Sequence, residues 1–267
     1  MGFSHALVVD ARALSPRLHR VSLRVEDPVA LAIPPDPDAA VGVYFDAASP
    51  GAGRTYSVRH HDGPRIDLDI VLHSGGPGAD WARAAAPGHR VGLDHANARY
   101  RPPPVAEWQL LVTDLAGLPA TARILEESPA VVATTVVVEA ADQHDLDYLP
   151  DRPGITVVSS VGTGNGLAAS RLAELVRRID LSDHGYCWFA GEAGQARAVR
   201  KYLRGHGWTI EHYDVTGYWR RGSDAWDAKF ALIDDDLFAV YQRAIAEGKG
   251  DRLAFEEFDD ALERLGL

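Results

Sequence analysis

Six consecutive residues, Arg54-Thr55-Tyr56-Ser57-Val58-Arg59, gather two guanidiniums, a phenol and two hydroxyls in one short stretch. β-Branched and aromatic types without internal glycine or proline predict a strand. Arg54, Tyr56 and Val58 then face one way, and Thr55, Ser57 and Arg59 the other. On the wall of a cleft such a strand can bind a flat aromatic cofactor that carries phosphates. The arginine forks onto a phosphate, the tyrosine packs along the ring system, and a hydroxyl or backbone amide meets the heterocycle edge. Taken alone, an edge strand with one exposed arginine describes the stretch better.

Two glycine clusters have the composition of phosphate-binding turns. Gly76-Pro77-Gly78-Ala79-Asp80-Trp81 follows a predicted strand and precedes a helical run, Ala82 to Ala86. Glycines at a helix start let the backbone approach a diphosphate, whose charge is favoured by open N–H groups and the helix dipole. The alternative is an ordinary capped turn with Asp80 near the cap. Gly162-Thr163-Gly164-Asn165-Gly166 also joins a strand to a helix, but it lacks the lysine of a P-loop and an acidic ribose partner at Rossmann spacing. It reads first as a flexible loop and second as a nicotinamide-nucleotide contact. Gly191-Glu192 closes a strand at the carboxyl end, where open α/β sheets bind ligands. Gly217-Tyr218-Trp219-Arg220-Arg221-Gly222 brings aromatics and two arginines together, in a binding mouth or a surface turn.

Other chemistries find no support. The only cysteine, Cys187, reads as a buried small hydrophobe inside a strand and excludes internal disulfides and cysteine-ligated iron–sulfur clusters. Histidines occur as His60-His61 and as singles, without the spacing of a metal site. No G-x-S-x-G elbow is present. A net charge of −11, from 38 acidic and 27 basic side chains, disfavours nucleic acid and anionic membrane as partners. No apolar run approaches the ~18 residues that span a bilayer, and MGFSHALVVDAR lacks the features of a signal peptide. The expectation is a cytoplasmic protein without stable membrane insertion.

The elements that position these residues fall into three parts. Residues 1–104 read as antiparallel β: Leu18–Glu26 and Ile66–His73 alternate with period two, and glycine–proline breaks recur, which suggests a small barrel. Arg101-Pro102-Pro103-Pro104 is a stiff boundary. Residues 105–223 alternate strands (Trp108–Thr113, Val131–Glu139, Ile155–Val161, Cys187–Ala190, Thr209–Val215) with helices (Leu118–Glu127, Leu167–Arg178, Gly194–Arg204), the pattern of a parallel sheet covered on both faces. Residues 224–267 predict helices separated near Gly248 and Gly250. Their apolar stripes (Leu237, Val240, Tyr241, Ile245; Leu253, Phe258, Leu262, Leu265) pack on the body or, second, form a dimer contact.

In this order and spacing, RTYSVR, DIVLH at Asp69–His73, GPGADW at Gly76–Trp81, WFAGE at Trp188–Glu192 and GYWRRG at Gly217–Gly222 resemble the siderophore-interacting protein family. Its members are FAD-dependent ferric-siderophore reductases of the ferredoxin-reductase superfamily, and the similarity runs from about residue 5 to the C-terminus. The resemblance implies a ferredoxin-reductase-like fold: an FAD-binding β-barrel, then an α/β nucleotide-binding-like domain with a helical tail. It implies FAD contacts at Arg54, Thr55, Tyr56, Ser57, Val71, Leu72, His73, Gly76, Pro77, Gly78, Ala79, Trp81, Asp114 and Trp219, although Trp81 also suits core packing. Gly191 and Glu192 are expected to face the nicotinamide, and Arg220 and Arg221 to attract an anionic ferric chelate. Three departures stand out. Ala79 replaces the usual hydroxyl, Leu115 and Ala116 replace an acidic–threonine pair after Asp114, and His95–Tyr100 replaces a G-P-x-G turn.

The expected function is therefore transfer of electrons from NAD(P)H or a donor protein through FAD to a ferric siderophore. Flavin takes two electrons together and returns them singly, and reduction loosens a chelate of hard oxygen donors. The alternatives are a flavin oxidoreductase acting on a quinone, free flavin or protein acceptor, and a non-catalytic siderophore-binding protein.

Overall fold

The computed structural model describes residues 2–45, 53–73, 75–129, 132–222 and 234–265. Most of the loop Ala47–Gly53 and residues 224–233, expected to begin the tail helices, lie outside the described residues.

The period-two segments form β1 (Ser4–Ala13), β2 (Leu18–Val25), β3 (Ala40–Tyr44), β4 (Arg54–Asp62), β5 (Arg65–Val71) and β6 (Arg90–Asn97). They close an antiparallel barrel in the order β1-β2-β5-β4-β3-β6. Alternate residues fill its interior: Val21 and Leu23, Val41 and Val43, Val58, Ile66 and Leu68, Val91 and Leu93 are fully buried in one cluster. Opposite them, Ser22 pairs outward with Asp67 at 2.6 Å, so the alternation is that of a strand with one face in the core. The expected strand Ile66–His73 stops at Val71. After a one-turn helix α1 (Pro28–Leu31) earlier in the barrel, Leu72 and His73 lead into α2 (Pro77–Ala84).

The second half is a parallel five-stranded sheet of β7 (Trp108–Thr113), β8 (Ala133–Ala140), β9 (Ile155–Val161), β10 (Gly185–Glu192) and β11 (Tyr213–Trp219), in the order β11-β10-β7-β8-β9. Helices α3 (Leu118–Glu127), α4 (Leu172–Val176) and α5 (Ala193–Gly205) cover it. One cluster around Leu110, Val112, Phe189 and Val199 and another around Leu111, Val136 and Trp188 bury the two faces. The fold expectation of a barrel followed by a parallel-sheet domain is met.

Two sequence boundaries move, each for a local reason. The helix expected over Leu167–Arg178 shrinks to Leu172–Val176, because Glu139 accepts hydrogen bonds from the Ser170 hydroxyl and the Arg171 N–H and holds the preceding chain outside the helix. The strand expected over Thr209–Val215 lies at Tyr213–Trp219 instead. Gly207, at φ 81°, and a turn closed by His212 N–H to the Thr209 carbonyl at 2.9 Å use up the earlier residues. The shift places Tyr218 and Trp219 at the carboxyl end of a strand rather than in a surface turn.

The last helices are α6 (Asp234–Ala246) and α7 (Gly250–Arg264). Leu237, Val240, Phe258 and Leu262 pack them together. Arg200 and Arg204 of α5 reach Glu256, Asp259 and Asp260 of α7, which holds the pair against the sheet domain. Ile245, Leu253 and Leu265, expected in the apolar stripes, remain 43%, 39% and 58% exposed.

Charged groups lock barrel to sheet. Arg59 forks onto Glu126 at 2.7 and 2.5 Å and bonds the Tyr148 hydroxyl at 3.1 Å. Tyr148 in turn donates to Asp69, which Arg20 grips through two 2.7 Å bonds. On the other side Trp188 Nε1 donates to Asp38 at 3.0 Å. Among the described residues, no helix is long and apolar enough to cross a membrane.

Candidate functional site

Strand β4 delivers the first wall. The predicted alternation holds in space: Val58 enters the barrel core and Tyr56 packs at its rim, while Arg59 crosses to the sheet domain. Arg54 and Thr55 are exposed, and the Arg54 guanidinium bonds the carbonyl of its neighbour Gly53 at 2.8 Å. Ser57 is buried, yet its Oγ makes no hydrogen bond of ordinary length. It lies close enough to the Tyr218 phenol at the end of β11 to act on it.

Helix α2 delivers the floor. Gly76 occupies the N-cap at φ 103° and ψ 141°, a conformation glycine alone adopts readily, and it offers no capping side chain. Pro77 follows as the first helical residue, with its φ already set for the helix. The glycines have steric roles as well. A Cβ on Gly78 would collide with the Tyr56 hydroxyl, and one on Gly76 would lie 2.9 Å from His73 Cε1. Tyr56, the α2 turn and His73 are therefore packed as one unit. Burial pushes the Tyr56 phenol up to about 12, only partly offset by Arg54, so it stays protonated at neutral pH. Trp81 stacks on Phe45 with ring centroids 5.0 Å apart, which makes it part of the barrel's end packing. The Asp80 carboxylate, whose charge would repel a nearby phosphate, is paired with Arg83 at 3.0 Å, and Arg83 also donates to the His73 carbonyl at 2.7 Å.

The carboxyl edge of the sheet supplies the opposite wall. Trp219 Nε1 donates to Asp114 Oδ2 at 2.6 Å, so its indole reaches from β11 across β10 to the end of β7. Gly191 on the intervening strand leaves the room, since a Cβ there would lie 3.0 Å from the same carboxylate. Asp114 also accepts from Ala116 N–H at 2.9 Å. Burial raises its carboxyl to about 6, against the opposing pull of Trp219. Tyr218 meets Trp188 edge to face at 6.3 Å, and burial raises its phenol too. Glu192 caps α5 by accepting from Gln195 N–H at 3.0 Å.

The structure thus brings Tyr56, His73 and the Gly76–Gly78 turn together, with Arg54 beside Tyr56 and half-buried Val71 and Leu72 at the end of the neighbouring strand; Thr55 and Ser57 lie on the other face of β4, Ser57 towards Tyr218. Trp219, Arg220 and Arg221 lie at the facing strand end. Ala79 and Asp114 are each 1% exposed. Ala79 can present only its backbone, and Asp114 reaches the cleft through Trp219. The loop Gly162–Gly166 is clamped elsewhere, on Glu139.

Sequence reasoning missed the anchors between the walls. Asp38 accepts from Trp188 and from the Arg99 N–H at 3.1 and 3.0 Å, but in sequence it is one acid in a proline-rich break. Glu126 and Tyr148 carry no local signal; only the buried Arg59 hinted that a carboxylate was needed. Two surface concavities among the described residues run beside α7, lined by Trp208 and Leu253 or by Arg101 and Arg252. Both lie away from the Arg54–Ser57 wall, and the site is assigned on its polar groups rather than on cavity size.

FAD fits this donor set. A helix start without a capping side chain and an exposed guanidinium meet at Tyr56, suited to a diphosphate, and the buried Ser57 hydroxyl on the other face of the same strand, without a hydrogen-bond partner of ordinary length, suits a ring edge. Arg54 and the α2 backbone would hold the phosphates, with Tyr56 and Ser57 beside the ring.

Comparison with known proteins agrees. Residues 29–99 match the siderophore-interacting FAD-binding domain, and residues 106–222 match the siderophore-interacting protein model. Ferric vibriobactin reductase ViuB of Vibrio cholerae is 28% identical over 201 residues, covering 69% of this chain and 71% of its own. Among solved structures, a siderophore utilization protein from T. fusca is 27% identical with a TM-score of 0.72, covering 82% of this chain and 93% of its own. The siderophore-interacting protein of Acinetobacter baumannii shares the fold at 20% identity, with a TM-score of 0.76 over 90% of this chain and 100% of its own. Barrel and sheet together are ferredoxin-reductase-like. With two adjoining models of one family matched in order along the chain, the protein belongs to the siderophore-interacting protein family.

Proposed function

We propose that this protein is an FAD-dependent ferric-siderophore reductase. What supports the reading is a phosphate-ready turn packed on Tyr56 next to Arg54, with Ser57 of the same strand close to Tyr218 of the sheet edge. The similarity to a ferric vibriobactin reductase supports the same substrate class.

Bound FAD supplies the redox chemistry, accepting a pair of electrons and releasing them singly to Fe(III). The chain's residues bind, orient and admit. Arg54 and the open N–H groups of the α2 start grip the diphosphate. Tyr56, locked against Gly78 and protonated at neutral pH, serves as a fixed hydrogen-bond donor. Ser57 offers its hydroxyl to the ring edge. Arg220 and Arg221 draw an anionic chelate to the mouth. No acid–base dyad is required, because the chelate loses its grip on iron when the charge of the ion falls. The electrons come from NAD(P)H or a donor protein arriving at the carboxyl edge, where Gly191 and Glu192 close β10.

The test is direct. Purified protein should be yellow or become so with added FAD. Once reduced without oxygen, it should be reoxidised by a ferric siderophore, with Fe(II) caught by a colorimetric chelator. Reoxidation by quinones and not by ferric chelates would favour a different flavin oxidoreductase. Protein that takes up no FAD would defeat the proposal.

A further inference from the structure

Glu139, the last residue but one of β8, has no exposed surface. Its carboxylate accepts from Thr163 Oγ1 at 2.8 Å, from Ser170 Oγ at 2.5 Å and from the Arg171 N–H at 2.5 Å. These donors belong to the Gly162–Gly166 loop and to the residues just before α4. The loop runs through positive φ at Gly162 (75°), Gly164 (61°), Asn165 (55°) and Gly166 (76°). The N–H groups of Gly162 and Gly164 are spent on the Ala140 and Ala169 carbonyls at 2.9 and 3.3 Å, so the loop meets the carboxylate through the Thr163 hydroxyl. Asn165 ties the loop down, donating to the Glu139 carbonyl at 3.2 Å and accepting from the Leu115 N–H at 2.9 Å. A Cβ on Gly164 would collide with Glu139 Oε2, so the carboxylate lies directly against the loop.

We infer that Glu139 is a built-in anion that fills the Gly162–Gly166 loop and shuts out the phosphates of a nucleotide electron donor. A carboxylate offers the same charge-assisted acceptor oxygens as a phosphate, and it is supplied by the chain itself. A phosphate entering the loop would meet a like charge at close range and find the Thr163, Ser170 and Arg171 donors already used. Glycines after a strand let the backbone approach a diphosphate; at this loop, which follows the edge strand β9, that approach is taken by Glu139. If a dinucleotide reduces this protein, it docks with its phosphates outside the loop. Glu139 is in that sense a specificity-determining residue for the donor step. The bearing on the donor rests on the proposed reductase activity, whereas the filled loop does not.

The test uses FAD-loaded protein, so that the barrel site is occupied, and reads binding rather than turnover. Hydrogen exchange of residues 162–171 is followed with ADP and with NADPH. In the wild type, neither should slow exchange there. Glu139→Ala vacates the loop, and it should bind ADP about tenfold or more tighter than wild type, competed by inorganic phosphate. Glu139→Gln keeps an acceptor oxygen in place and should gain little. Slowed exchange of wild-type residues 162–171 with either nucleotide would overturn the inference. So would loss of NADPH affinity in Glu139→Gln, which would make the carboxylate a ribose contact, or a folded Glu139→Ala with no gain for ADP. If Glu139→Ala does not fold, Glu139→Gln and the wild-type exchange can still overturn the inference, and none of these readings depends on reduction of iron.

Discussion

Two glycine-rich turns in this protein look alike in sequence and differ in occupancy. Gly76-Pro77-Gly78 starts α2 without a capping side chain, packed on Tyr56 next to an exposed arginine. Gly162–Gly166 is closed by a buried carboxylate that takes two hydroxyls and a backbone N–H. The difference teaches that a glycine cluster marks where a backbone can approach an anion, not whether the anion comes from outside. One acid at the end of the neighbouring strand decides between ligand site and structural plug.

That contrast is open to four changes. The largest effect belongs to Glu139→Ala, which removes the charged acceptor from two half-buried hydroxyls and the Arg171 N–H and should cost about 3–5 kcal/mol of stability in urea denaturation. A loss below about 1 kcal/mol would mean the loop does not depend on its internal anion.

Asp114→Asn probes a carboxylate on the same sheet edge. Burial lifts the Asp114 carboxyl to about 6 in the folded protein, above the unfolded value, so folding favours its protonated form. That contribution is complete below about pH 4 and fades as pH rises through about 6; a rise of this size corresponds to about 3 kcal/mol. Wild type should lose this stability between about pH 4 and 7, while the Asn variant should lose about 3 kcal/mol less over that range. Parallel pH profiles for the two proteins would refute the assignment.

Arg54→Ala removes a charged phosphate bond worth roughly 1.5–3 kcal/mol, so FAD affinity measured by fluorescence titration should fall about ten- to a hundred-fold. Unchanged retention would place the diphosphate away from the open turn. The smallest change is Gly78→Ala, which sets a methyl group against the Tyr56 hydroxyl. Overpacking of this kind costs about 1–3 kcal/mol, and the variant should bind FAD more weakly while Gly205→Ala at the end of α5, whose Cβ would meet nothing within 4 Å, serves as the control.

Much of the architecture was legible because its signals are local. Val21 and Leu23 opposite Ile66 and Leu68 announce a barrel by alternation, and the three prolines at Pro102–Pro104 mark where the rhythm changes. The open turn could be read as well, since glycine and proline at a helix start carry a backbone geometry of their own. The groups that escaped notice act across long separations in the chain. Glu139 meets Ser170 and Arg171 only after β8, β9 and the loop are in place. Arg59 finds Glu126 and Tyr148 only when the barrel docks on α3. The edge of β11 was misjudged because Thr209 and Ile210 look like strand residues, while the turn that claims them is set by Gly207 and His212. The functional reading gained most from order and spacing of several short motifs together, not from any one of them.

The chain of contacts from Arg20 through Asp69, Tyr148 and Arg59 to Glu126 has a consequence for how a bulky guest could be received. Arg20 and Asp69 both belong to the barrel, so the bonds that cross between the halves are the bidentate Arg59–Glu126 pair and those of Tyr148 to Asp69 and Arg59; hinging the halves apart like a jaw would strand the buried Arg59 guanidinium. Room for chelates of different girth must then come from side chains along the lip, which makes tolerance of varied guests a property of the rim while the grip on the redox group stays rigid.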